Sequence, residues 1–314
     1  MVKQKNNQII LMKPNSGFCL LVRKHFLHLD KSKTQTMKKL IYLLTLSFST
    51  AVLAQVQTPQ PSPAAKLEQT VGLTEVTVEY SRPAKRGRDI MGALVPYGEV
   101  WRTGANKNTV ISFSDAVTFG DQTLAAGSYA IFTRPGENQW EVFFYTATDN
   151  WGTPAEWDAS KVAATVETGA LTAKSMESFS IWISDLNNNG ATLNIGWDTK
   201  RVALPFGVPT VAKATASIKE ALKNTPGHRD YYSAAVYYLQ EGQDLNKAKA
   251  WIAKAIEGKD DAYWYFRQQS LILAGLNDTA GAIASAKQSL ALAEKAGNPD
   301  YVRMNKASIA EWSK

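Results

Sequence analysis

The hydrophobic pattern of the chain changes its period once, near Pro209, and this change constrains the fold more than any other feature. Before Pro209, apolar residues alternate with polar ones, as in Thr74–Tyr80, which is typical of half-buried strands. After Pro209, apolar and small residues recur three or four positions apart, which is typical of amphipathic helices. The sequence therefore predicts a β domain followed by an α-helical one.

Short strand-like segments precede Pro209, separated by turn signals such as Pro135-Gly136 and Asn187–Gly190. The segments are 74–80, 109–113, 128–133, 140–146, 162–166, 178–184, 191–197 and 201–206. Short strands at this spacing, with no helical segment between them, indicate an antiparallel β-sandwich or jelly roll. We assign this domain to 66–208, and residues 55–65 are predicted to be a mobile linker because they contain three prolines and no aromatic residue.

Six helices fit the C-terminal part, 209–314, near 211–223, 229–241, 245–257, 261–274, 279–295 and 299–312. A period of 34 residues relates Tyr232 to Phe266 and Ala248 to Ala282. This helix-turn-helix period is typical of tetratricopeptide repeats, and a plain helical bundle is the alternative. Two repeats are fewer than the roughly three needed for independent stability, so the helices are predicted to pack on the sandwich or on a partner.

Positive charge is concentrated at the start of the chain. The 314 residues have a formal net charge of +7; residues 1–54 contain nine Lys and Arg and one acid, while the remaining 26 basic and 27 acidic residues nearly cancel. Residues 37–54 have the three-part pattern of a secretory signal peptide, with cleavage predicted after Ala54. An uncleaved membrane anchor is the alternative. Residues 1–36 are interpreted as a mis-called extension, or alternatively as a genuine long n-region.

The predicted mature chain is periplasmic or secreted and has no basic excess, so neither nucleic-acid binding nor stable membrane insertion after cleavage is expected. It lacks cysteine, and His228 is its only histidine. A cysteine nucleophile and thiolate or His-rich metal sites are therefore excluded, and no phosphate-binding or nucleophile-elbow motif is present. We expect no metal and no cofactor, and we assign no catalytic residue.

The most informative segment is Ser81–Ser114. Its part before the predicted strand 109–113, here called the arginine-rich loop, joins that strand to the predicted strand 74–80. Arginine pairs with carboxylate or phosphate through two parallel bonds, aromatic rings offer flat faces to sugars or cations, and Asn both donates and accepts. A loop this long in a compact domain is usually functional or disordered. The predicted ligand-binding residues, one of them from a later loop, are Arg82, Arg88, Tyr97, Trp101, Arg102, Asn106 and Trp151.

Three functions remain open. The favoured one is a non-catalytic binding module that holds an anionic or sugar-like small ligand at this loop, while the helical segment docks a protein partner. The second is an enzyme, for example one acting on glycans, in which Asp89, Glu99 or Tyr97 performs acid–base chemistry in the same pocket. The third is a structural envelope protein, in which the arginines only tie the loop down through carbonyls and acids.

Several uncommon blocks occur in order in this region, namely Ser81-Arg82-Pro83, Gly87-Arg88, Val95–Gly98, Trp101–Asn106 and Ala126–Tyr129. Through these blocks the chain resembles the DUF2911 family over roughly 66–207, although Lys107 stands where that family often has an acidic residue. The resemblance implies an exported protein of the Bacteroidetes type with a C-terminal tetratricopeptide-like segment. The function of the family is unknown, so the resemblance supplies no chemistry.

Overall fold

A computed structural model describes residues 57–314. The predicted extension, the signal peptide and its cleavage site lie outside the described residues. Within them, ten strands are followed by six helices, so the predicted β + α layout is confirmed. None of the described helices is long and apolar enough to span a membrane.

The strands form two antiparallel sheets. They are β1 (Ala64–Val71), β2 (Thr74–Ser81), β3 (Thr109–Phe113), β4 (Val117–Phe119), β5 (Gln122–Leu124), β6 (Gly127–Pro135), β7 (Gln139–Tyr145), β8 (Val162–Gly169), β9 (Leu171–Asn187) and β10 (Gly190–Gly207). One sheet has six strands in the order β1-β2-β3-β6-β7-β8, and the other has four in the order β5-β4-β10-β9. A short 3₁₀ helix, Ala159–Lys161, precedes β8.

The two sheets share one apolar core. It forms because apolar residues alternate with polar ones along the strands, so that the apolar side chains lie on the inner face of each sheet. In β2 every second side chain is buried, Val76 and Val78 among them, while its other residues face outward. Aromatic rings connect the sheets, with Phe119 of β4 lying 4.7 Å from Phe144 of β7 between ring centroids. Full burial of a side chain of this size contributes about 1.5–3 kcal/mol to stability. The core therefore stabilises the domain without disulfides.

The strands differ from the prediction in several places, among them β9, which is longer than the predicted segment 178–184. β1 begins inside the predicted linker, and β4 and β5 were not predicted, because three residues are too few to show a period. The predicted strands 191–197 and 201–206 are one long strand, β10. Its pairing with β9 shifts register on both sides of Asp198, whose φ of 49° bends the backbone. This irregularity interrupts the alternation that the prediction relied on.

The first residues of the arginine-rich loop close one side of the sandwich. Ala84 forms an isolated bridge with Ser178 of β9, and the amide of Phe179 donates to the carbonyl of Pro83 over 2.9 Å. The amide of Lys85 donates to the carbonyl of Glu177 over 2.7 Å. Residues 82–85, here called the strap, thus link the end of β2 in one sheet to β9 in the other.

The helices are α1 (Thr210–Ala221), α2 (His228–Gln240), α3 (Leu245–Gly258), α4 (Tyr263–Gly275), α5 (Thr279–Lys295) and α6 (Pro299–Trp312). Side chains of Asp244, Asp278 and Asn298 cap α3, α5 and α6 by accepting from the first turn. Small buried residues such as Ala248 and Ala255 let the helices approach closely. The tetratricopeptide character of this segment stays a prediction.

The helices contact one end of the sandwich through polar side chains. Glu241, at the end of α2, accepts hydrogen bonds from Asn188 over 2.5 Å and from Asn189 over 2.7 Å, both in the β9–β10 turn. Lys213 of α1 forms an ion pair of 2.6 Å with Asp115, which follows β3. At this end, the helical segment therefore packs on the sandwich, one of the two arrangements predicted.

These contacts make the junction sensitive to acid. The hydrogen bond from Lys213 lowers the pKa of Asp115, burial opposes this change, and bonds from Ser114 and Thr74 add to it. Bonds from Asn188 and Asn189 lower the pKa of Glu241. A carboxyl with a lowered folded-state pKa stabilises the fold above its ordinary pKa of about 4, and this stabilisation is lost as the pH falls further.

We expect Glu241→Gln to make the midpoint of thermal unfolding less sensitive to pH between about 5 and 3. The difference from the parent should be only about 2–4 °C, since partly exposed pairs contribute about 1 kcal/mol or less. Glu257→Gln serves as the control because Glu257 is exposed and makes no hydrogen bond within the described residues. Equal pH profiles for the parent and Glu241→Gln would show that this contact does not stabilise the fold.

Candidate functional site

Two of the predicted arginines donate to backbone carbonyls. The Nε of Arg82 donates to the carbonyl of Phe179 over 3.0 Å, and its Nη2 donates to Ser180 Oγ over 2.7 Å. Arg88 is exposed and donates to the carbonyls of Lys85 and Ala84 over 3.0 and 2.6 Å. These contacts hold the strap and the following turn in place, and each guanidinium uses its Nε and one Nη in them.

The predicted aromatic residues of the loop pack against the protein. Trp101 stacks on Trp197 of β10, with ring centroids 6.0 Å apart, and meets the edge of Phe179 at 5.2 Å. Its backbone forms a bridge with Thr133 of β6. Tyr97 is half-buried, and its ring lies against Gly92, where an added Cβ would be 2.8 Å from Cε2. Trp101 therefore extends the core between the sheets.

Asn106 is exposed at the far end of the loop. Its backbone has a left-handed φ of 59°, which Asn tolerates better than most residues. Its side-chain amide donates to the carbonyl of Ser62 over 3.2 Å and to Ser81 Oγ over 3.3 Å. Asn106 thus ties the loop to the segment before β1 and to the end of β2.

Arg102 differs from the other arginines of the loop. Trp101 points into the core, so Arg102 points to the outer face of the six-stranded sheet. It is half-buried, its Nε is fully buried without a hydrogen-bond partner, and within the described part of the chain its guanidinium forms neither a hydrogen bond nor an ion pair. An arginine offers five N–H donors, so this side chain is left able to bind an anion.

A second loop, residues 147–157, lies over this part of the outer face and is here called the Trp151 loop. The amide of Asn108 donates to the carbonyl of Asn150 over 3.1 Å, and Thr153 Oγ1 donates to the carbonyl of Val100 over 3.4 Å. Trp157 anchors the loop against the outer-face rings of Phe132, Phe143 and Tyr145. The two loops therefore meet around Arg102.

Gly152 brings the Trp151 loop close to the guanidinium. A Cβ at this position would lie 3.0 Å from Arg102 Nη1, and the φ of 97° is one that side chains rarely adopt. The neighbouring Trp151 is 79% exposed, the most exposed large hydrophobic residue described. Arg102 and Trp151 thus lie in adjoining loops on one surface, whereas Arg82, Tyr97 and Trp101 are engaged elsewhere.

One ion pair, between Lys85 and Asp198, lies beside the strap. Burial tends to raise the pKa of Asp198, but hydrogen bonds from Lys85 and Ser175 lower it overall. Lys85 Nζ lies 2.6 Å from Asp198 Oδ1.

In the described residues no group of three or more His, Cys, Asp and Glu side chains could hold a metal ion.

The fold and site define a two-part protein, in which an antiparallel sandwich carries an unpaired arginine and is followed by helices. Residues 62–206 match the family described as protein of unknown function (DUF2911), so the predicted resemblance is confirmed over this part of the chain. No curated protein matches the chain. The solution structure of protein BPP2914 from Bordetella parapertussis is 18% identical, covers 32% of this chain and 86% of its own, and has a TM-score of 0.29, too low to support any argument.

Proposed function

We propose that this protein is an exported, non-catalytic ligand-binding module, and that its site lies where the arginine-rich loop and the Trp151 loop meet. Arg102 is the observation that carries this proposal. A half-buried guanidinium has lost part of its hydration, and folded proteins normally compensate for this with hydrogen bonds or a counter-ion. An anionic group of a ligand would supply both.

The neighbouring residues suggest what else the ligand carries. Trp151 is exposed beside Gly152, and an exposed indole offers a flat apolar face on which a sugar ring or another planar group can stack. An anionic, sugar-like small molecule therefore fits this surface better than a purely apolar one.

Export remains part of the proposal and is supported by residues 37–54, whose charge and hydropathy follow the signal-peptide pattern. The proposal places the mature chain in the periplasm or outside the cell. A protein partner on the helical segment is also proposed, supported by the partly exposed aromatic side chains Tyr231, Tyr238 and Trp264. Aromatic residues of this kind are enriched at protein interfaces.

The site is tested by thermal unfolding of the purified protein with acetate, inorganic phosphate, glucose and glucuronate, compared between the parent and Arg102→Gln. A ligand at 100 times its dissociation constant adds about 2.7 kcal/mol, which raises the unfolding midpoint by roughly 5–10 °C for a chain of this size. We expect Arg102→Gln to lose most of this increase. Without ligand, its own stability should change by about 0.5 kcal/mol or less, because no contact is broken.

Arg88→Gln is the matched control, since Arg88 lies in the same loop, is exposed and contacts only the carbonyls of its own turn. It should retain the response to ligand. Absence of any increase in the parent, together with a clear loss of stability in Arg102→Gln, would contradict the proposal and favour a purely structural role for Arg102.

A further inference from the structure

Strand β8 is an outer edge of the six-stranded sheet, and its backbone is open on the side away from β7. Its pairing with β7 is regular over 164–169, and just beyond, the amide of Ala170 donates to the carbonyl of Asn138 over 2.8 Å. Antiparallel residues alternate between those that bond to the neighbour and those that face away, so Thr165 and Glu167 direct their amides and carbonyls outward. Within the described residues, none of these groups forms a hydrogen bond.

Two other sheet edges carry features that oppose the addition of a strand. Natural proteins protect their edges with charged residues, especially lysine, or keep the edge strand very short. β1 carries Lys66 and Glu68, and β5 has only three residues. β8 has eight residues, contains neither Lys nor Pro, and has Glu167 as its one charged residue. It is therefore less protected than either, and an extended segment can add to it.

A cleft of about 590 Å³ lies beside this edge, lined by β8, the β4–β5 hairpin and β10. The lining residues that keep exposed surface include the apolar Val166, Ala203 and Pro205. Successive side chains of a strand point to opposite faces, so every second side chain of an added strand would lie on the side of this cleft. Small apolar side chains fit there, because the apolar lining would cover them.

The charge at the edge indicates what the remaining side chains of such a strand carry. Glu167 lies directly opposite Glu141 of β7, and Glu141 is paired with Arg134 at 2.6 Å. Glu167 is exposed, accepts a hydrogen bond from Gln139 over 2.6 Å, and forms no ion pair within the described part of the chain. A basic side chain directly across from Glu167 on an added strand would stabilise the pairing.

We propose that the β8 edge binds an extended peptide segment of a partner protein, in which a basic residue alternates with small apolar ones. Its backbone pairs with the outward groups of Thr165 and Glu167, its basic side chain lies across from Glu167, and its apolar side chains lie over the cleft. A second copy of this chain fits less well, because β8 has no basic residue and two copies would bring two Glu167 side chains to one interface.

Fluorescence anisotropy of a fluorescein-labelled peptide, SVTVKVTS, with the purified protein tests this proposal. The valines lie on one face and the lysine and threonines on the other, and the residues opposite Thr165 and Glu167 direct their amides at β8. N-methylation of the lysine and one threonine removes such amides, so we expect binding to weaken by about tenfold or more. N-methylation of two valines is the matched control and should retain binding, because those amides face away from β8.

The protein variants test the same contacts from the other side. Thr165→Pro removes an outward amide without breaking the pairing with β7, since proline is tolerated at such edge positions, and should weaken binding about tenfold. Glu167→Lys should weaken it about fivefold or more and prefer SVTVEVTS, in which glutamate replaces the lysine. Glu257→Lys, at an exposed position of α3, and Arg102→Gln should bind like the parent. Should Thr165→Pro fail to fold by circular dichroism, Glu167→Lys and the methylated peptides decide.

The proposal is overturned if SVTVKVTS does not bind, if the two methylated peptides bind equally, or if Glu167→Lys still prefers the lysine peptide. Loss of binding in Arg102→Gln would assign the peptide to the Arg102 surface and likewise overturn it. Sedimentation velocity tests the other occupant of the edge. A parent dimer that Thr165→Pro converts to a monomer would show that a second copy adds to β8, which would also overturn the peptide proposal.

Discussion

Replacement of Trp101 by alanine is expected to lower the free energy of unfolding by about 3 kcal/mol, near the lower end of values for large aromatic residues in cores. The ring is half-buried between the sheets, stacked on Trp197 and set edge-on against Phe179. Its removal leaves a cavity that two rigid sheets cannot fill. Urea unfolding followed by tryptophan fluorescence and circular dichroism would measure the loss.

Trp151→Ala is the matched control for this change. The same residue type is removed from a position that is 79% exposed, so stability should change by about 0.5 kcal/mol or less. The pair separates a packing role from a binding role for tryptophans that the sequence places in one candidate site. Equal effects of the two substitutions would show that the Trp101 ring does not stabilise the core.

The second large effect is expected at Gly72, in the turn between β1 and β2. Its φ of 57° is left-handed, and an added Cβ would overlap Thr210 Oγ1 and the carbonyl oxygen of Asn188. The turn therefore packs directly against the start of α1 and the β9–β10 turn. We expect Gly72→Ala to cost about 3 kcal/mol or more, because left-handed strain of about 1–2 kcal/mol is added to a clash with backbone that cannot move freely.

Gly120→Ala isolates the strain from the clash. Gly120 has nearly the same φ, 59°, but a Cβ there would meet nothing within 4 Å. Gly120→Ala should therefore lower the free energy of unfolding only by the left-handed backbone strain, about 1–2 kcal/mol. Guanidinium unfolding of both variants gives the difference directly. If Gly72→Ala and Gly120→Ala lower the free energy of unfolding equally, the close contact between the β1–β2 turn and the helices would be disproved.

Much of the fold could be predicted because its signals are local. The alternation of β2 lies in eight consecutive residues, and three of the six helices begin at a capping Asp or Asn visible in the sequence. β4 and β5 could not be predicted in this way. They pair with each other, each being three residues long, and β4 also pairs with β10, which is distant in the sequence. β4 contacts β10 through Thr118 and Gly207, which are far apart in the chain.

The candidate site was only partly predictable for a similar reason. Arg82, Arg88 and Arg102 belong to one loop and are chemically identical, yet two of them reach carbonyls and one does not. What separates them is the bridge between Trp101 and Thr133, which fixes the face that Arg102 takes.

The strap has a consequence for how this chain behaves among its own copies. β9 is the outermost strand of its sheet, and an outermost strand offers a row of unpaired amides and carbonyls on which another chain can add. Residues 83–85 already occupy those groups at 177–179. The arginine contacts that hold the strap therefore also keep this part of the edge covered, which opposes pairing with a neighbouring molecule at 177–179.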